Sequence, residues 1–138
     1  MAMSQENLEI ASRALAAALR KPEPDFATVN ALYHAEHELV TPISRLEGGA
    51  LRGIAGFRAW MSGIGEDWDS WDPRIDRVAE IDEQRVLIVW WFKARSRRGN
   101  VPVEQENAFV VTVRDGKVLR SENYSSPDEA LAAARLTE

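Results

Sequence analysis

The chain has 138 residues, 45% hydrophobic and 28% charged, which suits one domain with a single core and excludes a disordered tail. Lys and Arg number 17 against 22 Asp and Glu, for a net charge of −5, and there is no cysteine. That balance argues against a nucleic-acid groove, and the missing thiols exclude disulfides, thiolate metal sites and a thiol nucleophile. No apolar run approaches the roughly 20 residues that span a bilayer. The start MAMSQENLEI lacks a basic segment followed by an apolar one, so the expected compartment is the cytoplasm.

In chain order, residues 4–21 read as a first helix: Leu8, Ala11, Leu15, Ala18 and Leu19 recur at helical spacing, Ser4 is its cap, and Pro22 and Pro24 stop it. Asp25 caps a short second helix with Phe26, Val29, Leu32 and Tyr33 on its apolar face. Residues 37–41 read as a strand ended by Pro42, and 44–52, with Gly48 and Gly49, as a loop. A third helix starts at Gly53, buries Ile54, Phe57, Trp60, Met61 and Ile64, and ends at Gly63 and Gly65. Trp68 and Trp71 lie in an acidic aromatic segment, and a strand follows Pro73 as far as Ile81.

The strand over 85–96 contains VLIVWWF, apolar on both faces, so both need cover: one from the helices, the other from a second subunit. Lys93, Arg95, Arg97 and Arg98 lead into a turn at Gly99 and Asn100 and read as a solvated hairpin tip. Residues 101–124 form a long hairpin about the turn Arg114-Asp115-Gly116. Ser126-Pro127-Asp128-Glu129 is a capping box that opens a short last helix of about ten residues. Helices first and antiparallel strands afterwards indicate an α+β fold, a curved antiparallel sheet wrapped over three N-terminal helices as a cone with a pocket at its open end.

The chain resembles SnoaL-like proteins of the nuclear transport factor 2 and ketosteroid isomerase superfamily. The resemblance is carried by Leu32-Tyr33-His34, Glu38 to Pro42, Leu51 to Phe57, Glu66 to Trp71, the Arg114 to Val118 turn, and Tyr124 followed by Glu129-Ala130-Leu131. It covers nearly the whole chain and implies a single SnoaL-like domain over 1–138, with the cystatin-like cone, an apolar pocket and a homodimer through the sheet. Ketosteroid isomerases place a carboxylate base immediately before the proline, where this chain has Thr41, and oxyanion donors at positions matching Ala14 and Ala108 or Phe109. SnoaL-type cyclases use an aspartate where Ser126 stands and a histidine where Phe109 stands. The resemblance therefore supplies the fold and not the catalytic residues.

Strand alternation from Thr41 and Phe109 puts His37, Leu39, Asn107, Val111 and Val113 inside. Val86, Ile88, Trp90 and Phe92 are expected inside as well, with Leu87, Val89 and Trp91 on the dimer side. The expected ligand wall is Thr41, Trp60, Ile88, Trp90, Phe92, Asn107, Phe109, Val111 and Tyr124. Glu122, two residues before Tyr124 on one strand face, is the candidate acid or base, since a carboxylate in an apolar cone titrates high; His37 is the second candidate. Glu122 has an alternative reading as an exposed residue paired with Arg120 or Arg114, and His37 one as an ordinary core or surface residue. His34, His37 and Glu38 break across a helix-to-strand junction, so no metal is expected, and no pattern implies a cofactor.

Three functions stay open: a pocket binding a largely apolar organic ligand, an isomerase, cyclase or hydratase using Glu122, His37 or Tyr124, and a dimeric partner-binding module. A closed cavity without polar groups favours the first, an inward Glu122 or His37 within reach of a ligand the second, and a filled cone the third.

Overall fold

Helix α1 (Ala2–Leu19) buries the face its spacing announces: Ala11, Ala14, Leu15 and Leu19 enter the main core against the sheet. The computed structural model describes residues 2–136, with side chains from Gln5 onward. Ser4 falls within α1 rather than at its cap, and its side chain lies outside the described residues. Helix α2 (Phe26–Leu32) starts as expected at Asp25, which accepts from the Thr28 amide at 3.3 Å and the Thr28 hydroxyl at 2.8 Å.

Strand β1 (Tyr33–Val40) begins earlier than predicted, and Pro42 does more than end it. Pro42 opens a helix, α3 (Pro42–Leu46), which runs into the predicted loop. Thr41 caps it, accepting from the Ser44 amide at 3.0 Å while the Thr41 amide donates to Ser44 Oγ at 2.8 Å. Proline suits a first helical turn because its missing N–H would be unpaired there anyway. After β2 (Leu51–Arg52), helix α4 (Gly53–Asp67) runs through Gly63 and Gly65, which do not end it.

Strands β3 (Trp68–Glu80), β4 (Arg85–Ser96), β5 (Pro102–Arg114) and β6 (Lys117–Tyr124) follow, then helix α5 (Pro127–Leu136). The six-stranded sheet has the order β2-β1-β6-β5-β4-β3. Its pairs are antiparallel except β1 with β6, which is parallel. Pro73 sits inside β3 opposite Phe92, and β3 is the sheet's edge, where a residue without an N–H costs no ladder bond. Asp115 (φ 53°) and Gly116 (φ 76°) form a two-residue turn between β5 and β6, both left-handed as such hairpins require.

The inner face of the sheet meets α1 through Val86, Ile88, Trp90, Phe109 and Val111, so β4 and β5 have the register read from the sequence. The outer face is covered differently from the expectation. Helix α5 lies on it, packing Ala130 and Ala134 against Leu87, Val89, Ala108 and Val110. The small alanines let the helix approach closely, and part of the surface assigned to a second subunit is closed within the chain. Among the described residues no helix is long and apolar enough to cross a membrane.

Bulges curve the sheet and decide what faces inward. In β3 an extra residue, Asp69, separates the pairs of Trp68 with Ser96 and Ser70 with Arg95, and Asp76 does the same between Ile75 and Arg77. In β6 Val118 pairs with Val113 and Arg120 with Thr112, which leaves Leu119 as the extra residue.

Candidate functional site

A cavity of about 410 Å³ opens between α3, α4 and the end of the sheet. Its wall is aromatic: Trp60 from α4, Trp68 and Trp71 from β3, and Trp90 and Phe92 from β4. Trp60 stands edge-on to Trp71 at 6.3 Å and Trp71 to Trp90 at 6.3 Å, while Trp90 stacks on Phe109 at 5.6 Å. The rings hold one another in fixed orientations, so the wall is set before any ligand arrives.

Strand alternation places Gln105, Asn107 and Asn123 at the cavity, and the α3 cap adds Thr41 and Ser44. Asn123 accepts from Trp90 Nε1 through Oδ1 at 3.3 Å, and Asn107 accepts from Gln105 Nε2 through Oδ1 at 3.0 Å. With both carbonyl oxygens engaged, the Nδ2 groups of Asn107 and Asn123 are donors among the cavity's lining residues, as is the Ser125 hydroxyl. Thr41 also lines it, with its hydroxyl held in the α3 cap. The charged lining residues are Glu47 and Asp67, both exposed at the mouth.

Of the sequence's candidates, Thr41, Trp60, Trp90, Phe92 and Asn107 come together around this cavity. Ile88, Phe109 and Val111 lie behind the wall as solid core, at most 3% exposed. Glu122 and Tyr124 do not point inward. The Leu119 bulge turns the strand by one position, so Ser121 and Asn123 face in while Glu122 and Tyr124 pair opposite Val110 and Ala108 on the outer face. There Glu122 accepts from the Tyr124 hydroxyl at 3.3 Å and lies 3.5 Å from Arg120 Nε, in the ion-paired setting of its alternative reading. Arg120 and Arg52 both bind Glu38, at 2.7 and 2.9 Å. Burial, and then the Glu122 charge, push the Tyr124 hydroxyl above its ordinary pKa.

His37 faces in but lines a second cavity, with Tyr33, Ile54 and Phe57, on the far side of the Phe57–Trp60 ring pair. Its Nε2 lies 3.2 Å from Ser121 Oγ. Desolvation, only partly offset by Glu38, lowers its pKa to about 4. His37 and Glu38 sit on opposite faces of β1, and among the described residues no cluster of His, Asp and Glu is placed to hold a metal. Sequence reasoning missed Trp68, Trp71, Gln105 and Asn123 as lining residues. Trp68 and Trp71, three apart, belong on opposite faces of a regular strand, and only the Asp69 bulge brings both inside.

A SnoaL-like domain profile matches residues 12–121, and the chain belongs to the SnoaL-like family. Solved structures share the fold at low identity. A protein described as a SnoaL-like polyketide cyclase from Jannaschia sp. CCS1 superposes with a TM-score of 0.73 at 12% identity, covering 99% of this chain and 93% of its own. TerC, crystallised with polyporic acid, gives 0.71 at 17% identity, with 92% and 98% covered. A Catenulispora acidiphila DSM 44928 protein of ketosteroid isomerase-like fold, in complex with trimethylamine, gives 0.66 at 16% identity, with 90% of each chain covered. No curated protein sequence matches the chain significantly.

Proposed function

We propose that the chain binds a small, flat, largely apolar organic molecule bearing one or two oxygen acceptors, in the cavity walled by the tryptophans. The observation that carries this reading is the lining itself, four indoles and a phenyl ring around about 410 Å³, with the Asn107 and Asn123 amides as the inner polar handles. Ligand pockets of roughly 300–1,000 Å³ combine apolar walls with a few polar groups that fix orientation. Aromatic walls gain most from flat ligands that stack on or abut them. Two structural neighbours were crystallised with organic molecules, polyporic acid and trimethylamine, which supports a cavity of this fold admitting such compounds.

The ligand is bound and not turned over by acid–base chemistry. Thr41 stands where a base would act and its hydroxyl is spent on a helix cap. His37 opens into the other cavity, and Glu122 and Tyr124 face the other side of the sheet.

Quenching of tryptophan emission by a panel of flat aromatic ketones and quinones tests the reading. Saturable quenching is expected in the wild type and in Glu122→Gln. Trp68→Ala, a half-buried wall residue, is expected to weaken affinity about tenfold or more, in line with the 0.5–1.5 kcal/mol of an aromatic pair plus its lost contact area. A wild type that no panel member quenches overturns the proposal.

A further inference from the structure

The second cavity, about 450 Å³ between α2, β1, the first turn of α4 and the start of β6, has a chemistry opposite to the first. Val29, Tyr33, Ile54 and Phe57 form an apolar wall, and among the described residues no carboxylate lines it. The polar lining residues are Asn30, His34, His37 and Lys117. His34 Nδ1 accepts the Glu36 amide at 3.0 Å, which leaves the ring proton of its neutral form on Nε2, a donor. Lys117 Nζ donates one bond to the Ala31 carbonyl at 2.8 Å and keeps two N–H groups for another partner. Buried His37, 4% exposed and held against Ser121, adds a neutral polar floor beside the Tyr33 ring, 4.7 Å away.

An apolar pocket with a cation and a neutral donor among its lining residues, and no carboxylate, suits one kind of small molecule. We propose that this cavity is a second binding site, for a small amphipathic monocarboxylate whose apolar body lies against Val29, Ile54 and Phe57 and whose carboxylate is held by Lys117 and His34. The site is independent of the tryptophan-lined cavity, from which the Phe57–Trp60 ring pair divides it, with ring centroids 6.2 Å apart.

The sequence provides a separate reporter for each cavity. The chain has two histidines, and both line this cavity; of its five tryptophans, Trp60, Trp68, Trp71 and Trp90 line the other. Phenylacetate and its neutral counterpart phenylacetamide are titrated at constant pH while the histidine ring resonances are followed by proton–carbon NMR and tryptophan emission in parallel. Phenylacetate is expected to shift both histidines saturably, about tenfold more tightly than the amide, with emission unchanged. Lys117→Met is expected to bring the acid to the amide's affinity and leave the amide where it was. Ile54→Glu, at a side chain 40% exposed, places a carboxylate beside the site and is expected to abolish binding of the acid. Circular dichroism of both variants is the check that they are folded. Absence of a saturable histidine shift overturns the site, as does quenched emission with unshifted histidines, which puts the acid in the other cavity. Equal affinity for acid and amide, or a Lys117→Met protein that binds the acid as before, overturns the assignment of a carboxylate.

Discussion

His37 shows how one buried side chain makes stability depend on pH. Its pKa falls from 6.5 to about 4, because desolvation disfavours the charged ring more than Glu38 favours it. Between those values the unfolded chain binds the proton and the folded chain does not. Folding stability is therefore fully present above pH 6.5 and declines as the pH falls toward 4. The shift corresponds to roughly 3 kcal/mol in all, of which about 2 kcal/mol is lost by pH 5. Urea unfolding at pH 7 and pH 5 checks this against His37→Gln, which is expected to lose about 2 kcal/mol less over the same interval; equal losses would mean that His37 is not the group responsible.

Gly56 sets two residue-level effects against each other. Alanine improves helix propensity by about 1 kcal/mol over glycine. In α4, however, a Cβ on Gly56 would sit 2.6 Å from the Leu51 carbonyl carbon and 2.9 Å from its Cβ, so β2 and α4 must separate. Overpacking of this kind costs about 1–3 kcal/mol. Gly56→Ala is expected to lower the urea midpoint despite its propensity, and a raised midpoint would show that β2 yields freely.

At the scale of the element, bulges explain why some of the site was legible in the sequence and some was not. The faces of β4 and β5 could be read because their alternation is unbroken: Trp90, Phe92 and Asn107 point inward as a period of two requires. The same period applied to β6 from Val118 carries Arg120, Glu122 and Tyr124 inward, and the Leu119 bulge reverses it. Nothing in Lys117-Val118-Leu119-Arg120 marks the extra residue, since its place depends on how β6 must pair with β5 on one side and β1 on the other. Helix α5 was visible through its Ser126 capping box, but its docking face is made of Ala130 and Ala134, too weakly apolar to announce a partner. Deleting Leu119 would remove the extra residue, put Val118 and Arg120 in simple alternation and leave Arg120, Glu122 and Tyr124 on the outer face they already occupy. The deletion is expected to keep cooperative unfolding and the near-ultraviolet tryptophan signal at a cost of about 0.5–3 kcal/mol, and Leu119→Ala, at a half-buried site, is expected to cost about 1 kcal/mol. A deletion variant that loses both signals would show that the extra residue is required by the pairing of β6 with β1, whose register also shifts there.

At the scale of the whole molecule, the outer face of the sheet is divided between a part closed by α5 and a part left open. The closed part holds Leu87, Val89, Ala108 and Val110. The open part runs on to Trp91, half-buried, with the Arg74 guanidinium and the Lys93 ammonium 5.5 and 5.7 Å from its ring centroid. We propose that a second copy of the chain covers this remainder through a two-fold contact, in which each Trp91 meets the same surface of the partner. An isologous contact repeats every favourable pair twice, and Trp and Arg are the side chains that most often anchor such interfaces. Trp91 pairs with Glu106 on β5, Lys93 with Glu104 on β5 and Asp72 on β3, and Arg74 lies 3.8 Å from Asp72, so the patch offers both signs of charge for self-complementary pairing. Sedimentation equilibrium is expected to give a dimer mass for the wild type. Trp91→Glu is expected to give a folded monomer whose tryptophan-lined cavity still binds its ligands, because Trp91 stands on the face opposite Trp90. A monomeric wild type sinks the proposal, and a variant that remains dimeric moves the contact away from Trp91 to another part of the surface.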